Sequence, residues 1–186
     1  GTGDPSLLNP DLPKSNILDF LTERNEQLFY FPPAVEEKYF GPGWAWDDYN
    51  SSYSVERTSF PIYANRVNFK AEEGNPVLIA YPKIFRDSIN FDPSPPRGIR
   101  RDIEKNNFLY NPAVDHKNLD QDVPFKYSAP LVVNTLKDTL KKEITILRDF
   151  PGDFKIKKTL YSIHVDSMYK RMMEVSDNFI AEQILL

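Results

Sequence analysis

Ser176-Asp177-Asn178 is the tripeptide in this sequence whose residue types could do chemistry together. It sets a hydroxyl, a carboxylate and a carboxamide side by side, each able to hydrogen-bond. The same residues also suit a plain interhelical turn, since Ser and Asp are favoured N-caps. Asp48 and Tyr53 stand out next, within the run YFGPGWAWDDYNSSY that covers residues 39–53. Asp48 could equally be a surface acid or a turn cap. Lys158-Thr159-Leu160 reads as strand and is not a candidate site. The chain has no Cys, which excludes disulfides, thiolate chemistry and cysteine-rich zinc sites. Its two His, His116 and His164, show no metal-ligand spacing and read as surface or partly buried side chains. The sequence therefore predicts no metal and no cofactor.

The elements that must position these residues follow from periodicity and punctuation. Ser15 is an N-cap candidate ahead of Ile17, Leu18, Phe20 and Leu21. Leu28 to Phe31 reads as a strand closed by Pro32-Pro33. Residues 39–53 follow neither period and read as an ordered loop anchored by Trp44 and Trp46. Phe60 to Phe69 and Val77 to Tyr81 read as a hairpin turning at Gly74-Asn75. Asn90 to Arg97 reads as turn or linker, and Arg97, Arg100 and Arg101 as a solvated basic face. Asp115 to Asp122 reads as polar loop.

Ser128-Ala129-Pro130 opens a helix carrying Val133, Leu136 and Leu140, with Lys141-Lys142 at its C-terminal dipole. Ile144 to Leu147 and Phe154 to Leu160 read as strands. Val165, Met168, Tyr169 and Met172 recur at i, i+3, i+4 and i+7, which predicts a helix ending near Val175 whose apolar stripe faces the core or, from its Met content, forms an adaptable binding surface. Phe179 to Leu186 begins another helix. No internal repeat is present. The first residue is Gly1 and the last residues are Ile184-Leu185-Leu186 inside a helix, so the chain is expected to be an internal stretch of a longer protein.

Composition bounds the rest. The 186 residues are 40% hydrophobic and 27% charged, an ordinary globular balance. A net charge of −4 gives no basic face for nucleic acid. No run is apolar enough for a membrane span. Sixteen Pro against seven Gly favour semi-rigid connections and an irregular α+β body.

The run MMEVSDNFIAEQILL, residues 172–186, resembles the Ser-X-Asn motif of the active-site serine penicillin-binding proteins and class A β-lactamases. Its flank Phe179-Ile180-Ala181-Glu182 resembles the D-alanyl-D-alanine carboxypeptidase/endopeptidase family of the penicillin-binding protein 4 type. Gly1-Thr2-Gly3-Asp4-Pro5-Ser6-Leu7 resembles that family's Gly-X-Gly-Asp-Pro-Thr-Leu segment, with Ser6 for Thr. Gly43-Trp44-Ala45-Trp46-Asp47-Asp48 resembles its Gly-Trp-X-Trp-Asn-Asp segment. The shared order of these pieces carries the resemblance across nearly the whole chain.

The resemblance implies an incomplete transpeptidase/β-lactamase-like domain of α+β class with an inserted, mostly-β domain. Residues 1–31 and 154–186 would belong to the first and 32–153 to the second. It implies a periplasmic or otherwise extracytoplasmic bacterial hydrolase that acts on peptidoglycan stem peptides and is acylated by β-lactams. Ser176 would take part in proton transfer to the departing D-alanine, and Asn178 would bond the substrate's peptide backbone. Asp177 would hold the turn. Asp48 would bind the free amine of a diamino acid by a charge-assisted hydrogen bond, with Tyr53 as a wall. The family draws its nucleophile and base from Ser-X-X-Lys, and Lys-Thr-Gly closes its cleft. This chain is expected to lack the nucleophile, to be inactive alone and to bind no penicillin covalently. The alternative is a non-catalytic extracytoplasmic interaction module, in which the loop around Trp44 and Trp46 meets a partner or glycan.

Overall fold

The computed structural model describes residues 3–32, 39–72, 77–93, 97–113, 118–149 and 158–186. In chain order the regular elements are α1 (Asn16–Thr22), β1 (Leu28–Tyr30), β2 (Arg66–Ala71), β3 (Ile79–Tyr81), β4 (Ile89–Phe91), β5 (Ile99–Arg101), β6 (Phe108–Tyr110), β7 (Leu119–Pro124), α2 (Ala129–Leu140), β8 (Ile144–Ile146), α3 (Val165–Val175) and α4 (Asn178–Ile184). Short 3₁₀ turns at Trp46–Asn50, Tyr63–Asn65 and Lys83–Ser88 intervene. The class is mixed α+β, with small sheets and several helices.

The chain divides into two units. One comprises Gly1–Tyr39, Arg57–Ala64 and Tyr127–Leu186, the other Phe40–Glu56 and Asn65–Lys126. These borders differ from the expected 32–153: α2 and β8 count with the first unit, and the chain returns to that unit at Arg57–Ala64. β8 pairs with β1 of the first unit, and α2 packs on β8. Val132, Leu136 and Leu140 recur at i, i+4 and i+8 and are all buried, as is Ile144 of β8.

In the first unit, Ser15 caps α1 as expected, its Oγ accepting from the Ile17 N–H at 3.3 Å. The other end of α1 is closed by an unpredicted side chain. The Lys142 ammonium donates to the carbonyls of Leu21 (3.1 Å), Thr22 and Arg24, where helix-end carbonyls lack intrahelical partners. β1 and β8 pair in parallel, Leu28 opposite Ile144. Ser128 Oγ caps α2 through the Leu131 N–H at 3.3 Å. Tyr30 of β1 meets Phe60 edge-on at 5.5 Å, and its hydroxyl lies 2.7 Å from that of Tyr127.

α3 forms over the predicted residues, but its stripe is not core. Among the described residues α3 has none buried, and Val165, Tyr169, Met173 and Val175 are exposed. Helical spacing identifies an apolar face; what covers that face is a separate matter. Phe154 to Lys157, in the expected strand before α3, lie outside the described residues, and Lys158 to Leu160 form no strand.

The second unit holds a three-stranded sheet in the order β3-β2-β7 and another in the order β4-β6-β5. β2 alternates in the manner of a strand with one buried face: Val67, Phe69 and Ala71 are buried, and Arg66, Asn68 and Lys70 face outward. The predicted hairpin is present, Asn68 opposite Tyr81, although Gly74-Asn75 lies outside the described residues. Its first strand begins later than expected. Tyr63, Ala64 and Asn65 have φ of 54°, 50° and 50°, which no strand accommodates. Phe85 stacks on Phe125 at 5.3 Å and meets Phe108 edge-on at 5.7 Å, and Phe69 lies 4.9 Å from Phe108.

Three expectations in this unit are corrected. Leu119 to Asp122 is strand, because β7 pairs with β2 along its whole length and Asn68 Nδ2 donates to both Asp120 (2.8 Å) and Asp122 (2.9 Å). Asn90 and Phe91 belong to β4, paired parallel with β6. Arg97 and Arg100 are exposed, but Arg101 is only 3% exposed. Its Nε donates to the Pro124 carbonyl at 2.9 Å, one Nη donates to the Asp102 carbonyl at 2.8 Å, and its guanidinium faces the Tyr49 ring at 5.3 Å. Burial draws its pKa below the usual value, and the charge of Glu56 pushes back upward.

Candidate functional site

Ser176-Asp177-Asn178 is the corner between α3 and α4. Ser176 ends α3 in the left-handed region, φ 53° and ψ 49°, with its N–H bonded to the Met172 carbonyl. An L-residue there costs about 1 kcal/mol, so the corner is held by its neighbours and not by local preference. Asp177 starts α4: its Oδ1 accepts from the Ile180 N–H at 3.1 Å. Its Oδ2 faces Arg171 Nε at 3.7 Å, and Arg171 also reaches Asp11 at 3.3 Å. Asp177 is thus spent on holding the turn. Ser176 is exposed and Asn178 half-buried. Among the described residues neither the Ser176 hydroxyl nor the Asn178 carboxamide takes a hydrogen bond, so both remain available to a ligand.

α4 is fixed from its far end. Phe179 and Ile180 are buried, and the buried Gln183 bonds the backbone of Gly3 and of Thr58. Glu182 pairs with Arg57 at 3.1 Å. The N-terminal Gly-Asp-Pro stretch and the Ser-Asp-Asn helix, linked in the sequence only by resemblance, are therefore in contact within the first unit.

Asp48 and Tyr53 lie in the second unit. The Tyr53 hydroxyl donates to Asp48 Oδ1 at 3.0 Å, and the Tyr53 ring stacks on Trp44 at 6.1 Å with 25° between planes. Asp48 also belongs to the 3₁₀ turn Trp46–Asn50, where its carbonyl accepts from the Ser51 N–H at 2.8 Å. Trp46 is 79% exposed and does not anchor this loop as expected; Asn50 bonds the backbone of Ile99 and of Arg101, and the Tyr49 carbonyl accepts from the Arg101 guanidinium.

Against the expectation that the chain lacks a nucleophile, one stretch matches its spacing. Ser167-Met168-Tyr169-Lys170 has Ser-X-X-Lys spacing and lies inside α3. Its geometry does not suit the role. A lysine that serves as a base is held neutral by burial or by neighbouring cations. The Lys170 side chain is 74% exposed, and its Nζ lies 3.9 Å from Glu174. Ser167 also stands nine residues before Ser176, about 13 Å along the axis of α3, too far for the two to meet one reacting atom.

His164 caps α3, its Nδ1 accepting from the Asp166 N–H at 3.3 Å, and it is exposed; His116 lies outside the described residues. Among the described residues no cluster of three or more His, Asp or Glu could hold a metal ion, and no helix is long and apolar enough to cross a membrane. The residues that sequence reasoning missed are Arg171 and Gln183, whose only signal was proximity to the motif. No protein-family model matches this sequence, and no curated protein matches it at a significant level.

Proposed function

We propose that this chain is part of a serine D-alanyl-D-alanine carboxypeptidase/endopeptidase, an extracytoplasmic bacterial enzyme acting on peptidoglycan stem peptides through an acyl-enzyme. The observation that carries the reading is the division of labour at the α3–α4 corner. Asp177 is committed to the turn, while Ser176 and Asn178 present uncommitted polar groups on either side of it. An Asn at a helix start can donate to a substrate carbonyl and accept from its N–H, which orients a peptide. A hydroxyl beside it can relay a proton to the leaving amine. The nucleophile and its base come from chain outside this sequence. In the second unit, the Asp48 carboxylate oriented by Tyr53 offers an acceptor for the amine of a stem-peptide diamino acid.

Covalent labelling by a fluorescent penicillin tests this reading. The full-length protein containing this chain is expected to give a labelled band that survives denaturation. Residues 1–186 alone are expected to give none, and Ser167→Ala in the full-length protein is expected to leave the label in place. A full-length protein that takes no label, or a label abolished by Ser167→Ala, would overturn it.

A further inference from the structure

Gln183 is 3% exposed, five residues after Asn178 on the seven-residue helix α4. A carboxamide has two N–H donors and one acceptor oxygen, and here all are used. Oε1 accepts from the Thr58 N–H at 2.9 Å, and Nε2 donates to the carbonyls of Gly3 and Thr58, each at 2.8 Å. Gly3 has φ +79°, a backbone conformation that favours glycine, while a Cβ there would make ordinary contact at 3.4 Å with Gln183 and Leu186. One side chain thus joins α4 to two segments distant in sequence.

α4 is short enough to move as a rigid rod, and five residues span about 7.5 Å of its axis. A shift at Gln183 is therefore passed to Asn178. Asp177 and Arg171 set the near end of the rod, and Gln183 sets its depth. We infer that Gln183 is a positioning residue for the Ser176–Asn178 corner, placing Asn178 against the substrate's peptide without touching substrate itself. The inference rests on the function proposed above.

Two substitutions separate positioning from mere stability. Gln183→Leu removes all three bonds and leaves the Thr58 N–H and two carbonyls unpaired. Gln183→Glu keeps the shape and the acceptor for Thr58. When ionised, its second oxygen faces two carbonyls and is repelled; when protonated, it regains one donor.

The experiment follows acylation of the full-length protein by fluorescent penicillin, resolved into initial binding and the first-order acylation step. It is run where circular dichroism shows each variant folded, with Ser176→Ala and Asn178→Ala alongside. Gln183→Leu is expected to slow the acylation step about 100-fold, the scale of a misplaced reacting group, while initial binding changes far less. The ratio of Gln183→Glu to wild-type acylation is expected to rise as pH falls. If Gln183→Leu fails to fold, Gln183→Glu alone decides, and a ratio flat with pH overturns the inference. Acylation unchanged in folded Gln183→Leu, with Ser176→Ala and Asn178→Ala slow, overturns positioning by Gln183 and leaves the proposed function standing. Unchanged acylation in Ser176→Ala and Asn178→Ala overturns both.

Discussion

α3 and α4 meet at one corner and differ in almost everything else. α3 has 11 residues and a clear apolar stripe, yet among the described residues it buries none. α4 has seven residues, of which Phe179, Ile180 and Gln183 are buried. The longer and more regular helix is the less anchored one. Periodicity sets how a helix distributes its side chains, but position comes from burial and from satisfied polar groups. The motif lies where the anchored helix begins, so α4, and not α3, sets where Asn178 stands.

Substitutions in the two helices should separate accordingly. The largest effect is expected at Phe179→Ala, which deletes a side chain 3% exposed. It should cost about 3–5 kcal/mol in chemical denaturation. Met173→Ala in α3, where Met173 is 75% exposed, should stay within about 0.5 kcal/mol. Equal costs at the two positions would erase the distinction between the helices.

Asp177→Ala comes next. It removes the N-cap of α4 at the Ile180 N–H, with an expected loss of about 1 kcal/mol. Hydrogen exchange should show that loss first at the start of α4; uniform loosening of both helices would count against a local cap.

A smaller effect of opposite sign is expected at the corner. Ser176→Gly relieves a φ of 53°, and stability should rise by about 0.5–1 kcal/mol. On the function proposed above, the same change in the full-length protein should slow acylation. A residue that is better for folding as Gly and better for turnover as Ser is one retained for its hydroxyl.

Much of this architecture is legible in the residues themselves. Ser15 and Ser128 cap the helices that their positions foretell, Asp177 takes the cap that the tripeptide leaves open between it and Ser176, and the β2–β3 hairpin follows from its two strand runs. What escapes are contacts between segments distant in sequence. Arg101 reads as surface because nothing local reveals that the Pro124 carbonyl waits for its Nε. Lys142 reads as a helix-dipole cation, while it closes α1 more than 100 residues away, at the Leu21, Thr22 and Arg24 carbonyls. Leu119 to Asp122 reads as loop because its strand is defined by its partner β2 and not by its own polar residues. Of the candidate site, the tripeptide is legible, but its anchor Gln183 depends on Gly3 and Thr58 and is not. Ser167-Met168-Tyr169-Lys170 shows the converse, a spacing that matches a motif in a place that cannot serve it.

On the function proposed above, Ser176 serves peptide cleavage from an exposed corner. Release of D-alanine from a peptide ending in D-Ala-D-Ala, by the full-length protein and its Ser176→Ala variant, tests that most directly. The variant is expected to be fully folded and its rate to fall about 10²–10⁴-fold, the scale of a lost proton-transfer group. A folded Ser176→Ala protein releasing D-alanine at the wild-type rate would contradict it.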